Sequence, residues 1–93
     1  MRVNEVLDQI VLLCKKHSAS QVILFGSRAK GTCRERSDID IAVSGVSDFD
    51  TLLEEVEALP TLYTIDLLNL QECGNDLLME DIRQYGRKIY EKI

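Results

Sequence analysis

The run from Asp38 to Val43, DIDIAV, constrains this chain most: acid alternates with isoleucine and then gives way to three apolar residues. Side chains alternate faces along a strand, so the pattern predicts a strand whose beginning meets solvent and whose end enters a core. Gln21 to Phe25, QVILF, predicts a second, buried strand, stopped by Gly26. Tyr63 to Leu70, YTIDLLNL, predicts a third, apolar except for Asp66 and Asn69.

Helical periodicity separates these runs. Val3, Val6, Leu7, Ile10, Val11 and Cys14 fall on one stripe of a helix over about Asn4 to His17. Phe49, Leu52, Leu53, Val56 and Leu59 mark another, with Ser47 or Asp48 as N-cap and Pro60 just past its end. Asn75 or Asp76 caps a last helix carrying Leu77, Leu78, Ile82 and Tyr85, and Gly86 is expected to end it in a left-handed conformation. Lys88 to Tyr90 adds a short edge strand. No repeat or linker interrupts the pattern, so residues 1–93 are expected to form one α+β domain, a small mixed β-sheet flanked by helices.

Composition narrows the function. With 93 residues there is room for one core, and a larger substrate would have to be held partly by a partner. The net charge of -5 disfavours a domain that grips nucleic acid by its phosphates. Positive charge is nonetheless concentrated at Arg28, Lys30, Arg34 and Arg36, a stretch suited to a phosphate-bearing small molecule or simply solvated. Cys14, Cys33 and Cys73 are odd in number and lack a C-x-x-C pair, which speaks against a disulfide framework or zinc site. Cys14 is expected in the core and His17 at a helix end, outside any catalytic role. No apolar run approaches the roughly 20 residues of a membrane span, and a cytoplasmic location is expected.

Asp38 and Asp40, at i and i+2, would project to one side of their strand about 7 Å apart along the chain. Like charges that close repel, and a shared magnesium ion, with its preference for oxygen ligands, would remove the conflict; a solvated strand edge is the alternative. If the first two strands are antiparallel neighbours, Gly26 lies beside Asp38, and the Gly26-Ser27 turn can offer peptide N–H groups and a hydroxyl to phosphate oxygens. Taken alone, Gly26-Ser27 is also compatible with an ordinary turn. An acid inside an apolar strand needs compensation, so Asp66 either pairs with an arginine or joins Asp38 and Asp40 around two ions, with Asp66 as general base in an in-line nucleotidyl displacement.

Gly26-Ser27-Arg28-Ala29-Lys30-Gly31 followed by Ser37-Asp38-Ile39-Asp40-Ile41 resembles the signature of the DNA polymerase β-like nucleotidyltransferase superfamily, especially its minimal nucleotidyltransferase branch. The resemblance implies a polymerase β-like nucleotidyltransferase fold. It also implies two magnesium ions on Asp38, Asp40 and Asp66, and a nucleoside triphosphate held at Gly26 and Ser27, with Arg28 and Lys30 at positions often basic. Members of this branch are often antitoxins that transfer AMP from ATP to a tyrosine of an all-helical HEPN-domain toxin, which implies such a partner in a hetero-oligomer. Two alternatives remain open: transfer to a small molecule with a separate acceptor-binding subunit, and a non-catalytic module that binds nucleotide or blocks its toxin by contact.

Overall fold

The computed structural model describes residues 2–31 and 38–92. Cys33, Arg34, Arg36 and Ser37, named above, lie outside the described residues. The elements run α1 (Val3–Lys16), β1 (Gln21–Phe25), α2 (Ser27–Lys30), β2 (Ile39–Ser44), α3 (Phe49–Glu57), β3 (Ile65–Asn69), a 3-10 turn (Leu70–Glu72), α4 (Asp76–Tyr85) and β4 (Arg87–Glu91). The strands form one mixed sheet in the order β3-β2-β1-β4. β1 is antiparallel to both β2 and β4, whereas β2 and β3 are parallel, with α3 forming the crossover that parallel strands require.

Strand alternation divides the apolar residues between two faces of this sheet. Val22, Leu24, Ile39, Ile41 and Val43 pack with Val6, Ile10 and Cys14 of α1 and with Leu52 and Val56 of α3. The intervening positions Phe25 and Ala42 meet Ile82 of α4, flanked by Ile23, Leu68, Leu70 and Leu78. On α4 only Leu78 and Ile82 of the predicted stripe pack inward, and Leu77 and Tyr85 are exposed. The predicted stripes of α1 and α3 supply the core-facing residues, with Cys14 fully buried as expected. That burial pushes the Cys14 thiol up to about 11 and keeps it protonated at neutral pH.

Caps set the helix boundaries. Of the alternatives, Asp48 caps α3 by accepting from Thr51 N–H, and Asn75 caps α4 by accepting from Leu78 N–H. His17 sits at the end of α1, buried, its Nε2 2.6 Å from Glu55 Oε1 of α3. It joins two helices and lies outside the site described below.

Three further expectations are corrected. Gly86 does end α4, but at φ -63 and ψ 144, an ordinary extended conformation. Glycine is needed there for space: a Cβ would collide with the Ile82 carbonyl oxygen and come 2.7 Å from Ile23 Cγ2. The third strand is shorter than Tyr63 to Leu70, because Leu70 turns into the 3-10 segment capped by Asn69. Asp66 is exposed and needs no buried compensation, since β3 is an edge strand of the sheet. No helix among the described residues is long and apolar enough to cross a membrane.

Candidate active site

The site lies where β1 ends and β2 begins. Antiparallel pairing sets Phe25 opposite Asp40, so Gly26, the next residue, arrives beside that carboxylate. Gly26 has φ 73 and ψ -154, a backbone conformation essentially reserved for glycine. A Cβ there would overlap Asp40 Oδ2. The glycine thus does two things at once: it turns the chain from strand into α2, and it lets the Asp40 carboxyl nest against the turn.

Parallel pairing then sets Asp66 directly opposite Asp40. Both precede, by two residues, positions that pack under α4, Ala42 and Leu68, so strand alternation puts both carboxyls on the α4 side of the sheet. Asp38 lies just ahead of β2 and is exposed. Gly26, Asp40 and Asp66 are brought together, with Asp38 adjoining them at the open end.

Electrostatics single out Asp40. Its carboxyl is pushed from 3.8 up to about 6, first by burial, then by the charge of Asp66, a hydrogen bond with Asp66, and the charge of Asp38. The crowding expected between the first two acids is therefore real, but its larger source is Asp66, across the sheet. Among the described residues no three His, Cys, Asp or Glu side chains form a ready-made metal-binding group. The donor set nonetheless fits a hard divalent cation: all its atoms are oxygens, and a cation is what the mutual repulsion of three carboxylates lacks.

The two basic candidates on α2 point to different neighbours. The Arg28 guanidinium lies 5.1 Å over the Tyr63 ring, on the side of the loop entering β3. Lys30 reaches α4 instead, its Nζ 2.8 Å from Asp81 Oδ1 and 5.0 Å over the Tyr85 ring. Sequence reasoning missed Tyr63, Asp81 and Tyr85 as neighbours of the site. The available signal was an acid and an aromatic four apart on α4, hence on one face. A cleft of about 340 Å³, lined by Val56, Leu59, Thr61, Tyr63, Thr64 and Asp66 among others, opens next to the third acid.

A sheet that presents a Gly-Ser turn beside acids from adjacent strands is the arrangement expected of nucleotidyl transfer, and comparison with known proteins supplies the class. Residues 8–93 match the family model "Polymerase beta, Nucleotidyltransferase". The chain belongs to this family and is a nucleotidyltransferase. No curated protein is significantly similar to it.

Among solved structures, a toxin–antitoxin complex with AMP-PNP superposes with a TM-score of 0.70 at 24% identity, over 91% of this chain and 73% of that one. A mutant of the MntA–HpeT toxin–antitoxin pair gives 0.69 at 22% identity, over 91% and 73%. A protein from Shewanella oneidensis gives 0.68 at 17% identity, over 98% and 74%. At these identities the likeness establishes the fold, including the mixed sheet flanked by helices.

Proposed function

We propose that residues 1–93 form one nucleotidyltransferase domain of the minimal nucleotidyltransferase branch, which transfers AMP from ATP to a hydroxyl on a partner protein and so acts as the antitoxin of a HEPN-domain toxin. The observation that carries the reading is the convergence of Gly26, Asp40 and Asp66 from three separate segments, with Asp38 adjoining. The similarity to toxin–antitoxin structures, one of them holding AMP-PNP, supports the partner and the nucleotide. A cytoplasmic setting suits such a pair.

In this reading Gly26 and Ser27 receive the triphosphate through backbone N–H groups and the Ser27 hydroxyl. Asp38, Asp40 and Asp66 would hold two magnesium ions, which when bound neutralise triphosphate charge and favour departure of pyrophosphate. The acceptor oxygen attacks the α-phosphorus as the bond to pyrophosphate breaks, and its proton passes to a carboxylate. Asp66 suits that task because it is exposed on an edge strand, where an acceptor on another molecule can reach it. Arg28, whose guanidinium lies over the Tyr63 ring, would add positive charge near the phosphates.

The cleft beside Asp66 favours one second reading, a small hydroxylated acceptor seated there with a separate subunit completing the site. One experiment separates the two. The chain is incubated with labelled ATP and magnesium, with and without its co-purified helical partner, alongside Asp38→Asn and Asp40→Asn. Label should appear on a partner tyrosine and be lost in both variants while their folds persist. Label on small hydroxylated compounds alone would replace the acceptor, and undiminished transfer by both variants would remove the carboxylates from the site.

A further inference from the structure

A single helical turn such as α2 has too few internal hydrogen bonds to hold its own direction. Its orientation must be imposed from outside, and Lys30 shows how. The Lys30 ammonium is 2.8 Å from Asp81 Oδ1 and 5.0 Å over the Tyr85 ring. Asp81 and Tyr85 flank Ile82, the buried residue that docks α4 against Phe25 and Ala42. Those two residues immediately precede Gly26 in β1 and follow Asp40 by two places in β2. The same packing that seats α4 on the sheet therefore sets the position of the Asp81 carboxylate relative to the Gly26 turn. The Lys30 ammonium holds its proton more firmly than usual, chiefly through its hydrogen bond to Asp81.

We infer that Asp81 is a positioning residue for nucleotidyl transfer: by gripping Lys30 it fixes α2, and with it the Gly26-Ser27 turn, against Asp40. This rests on reading that turn as the triphosphate site. Lys30 then serves as a strut between α2 and α4, and its charge is committed to Asp81 in place of a phosphate. Tyr85 adds a second contact to the same ammonium, so the grip combines a charge-assisted hydrogen bond with a cation–π contact.

The test uses the chain with its co-purified partner, ATP and magnesium, in the wild type, Asp81→Asn, Asp81→Glu, Lys30→Met and the Lys30→Met/Asp81→Asn double variant. KM for ATP and kcat are measured separately. Hydrogen exchange at the Lys30 and Gly31 amides, which donate to the Gly26 and Ser27 carbonyls and close the turn, is followed in the nucleotide-free proteins. A misplaced turn should raise KM for ATP about 10-fold in Asp81→Asn and in Lys30→Met. The double variant should be no worse than either single one, and Asp81→Glu should recover most of the loss. The Lys30 and Gly31 amides should exchange about 5-fold faster in Asp81→Asn, as local opening becomes easier.

A lower KM in Asp81→Asn would show that Lys30, once freed, binds phosphate directly, and would overturn the inference. So would losses that multiply in the double variant, or α2 exchange unchanged by Asp81→Asn. Should the wild type transfer no nucleotide, the proposed function fails by itself; the exchange measurement then still decides whether Asp81 holds α2.

Discussion

Replacing Asp40 by asparagine should stabilise the metal-free protein, by an amount that depends on pH in a defined way. The native Asp40 carboxyl titrates at about 6, against 3.8 for an ordinary aspartate. Between those values the native state holds a proton that the unfolded chain has released, so stability falls as pH rises through this window. Two pH units correspond to about 3 kcal/mol at full strength. Asp40 is only half-buried, and solvent screening reduces the figure to about 1–2 kcal/mol. Asparagine keeps the shape and abolishes the titration.

Urea unfolding of both proteins in EDTA, from about pH 4 to pH 8, reads the difference directly. The two should be nearly equal in stability at the acid end, with the variant pulling ahead and levelling off above about pH 6. Magnesium should then stabilise the wild type more than the variant. A gap that does not change with pH, or a wild type that is the more stable protein at pH 8 without metal, would refute the account of crowded carboxylates.

Gly26→Ala should lose about 1–3 kcal/mol of stability from its backbone conformation alone. It should also abolish transfer, because its Cβ would displace the Asp40 carboxyl; thermal unfolding and the labelled-ATP assay check the two effects. Gly86→Ala strains no backbone angle, yet should cost about 1–3 kcal/mol by forcing the end of α4 away from Ile23 and the Ile82 carbonyl. A melting temperature within a degree of wild type would show that this end of α4 yields freely.

The positions and types of the main elements were legible because each rests on a local period. QVILF and DIDIAV are short strands whichever way they pair, and the stripes ending at Cys14 and Leu59 are helical in period whatever they cover. The D-x-D spacing and the Gly-Ser turn were legible for the same reason, since both span a few residues.

What the strands do to one another lies beyond any local period. Whether the acid within YTIDLLNL is buried depends on whether its strand is internal or outermost, and the order β3-β2-β1-β4 leaves Asp66 exposed and moves the electrostatic burden to Asp40. Gly86 shows the same division: its presence at a helix end could be read from the chain, but its reason is lack of space between the Ile82 carbonyl one turn back and Ile23, which is far away in sequence. Lys30 was visible as a basic residue in a phosphate-like motif, while its commitment to Asp81 follows from α4 docking on the sheet. Sequence by itself determined periodicity and motif, since these depend on neighbours along the chain. Tertiary structure alone decided burial, charge partners and proton affinity, since these depend on neighbours through space.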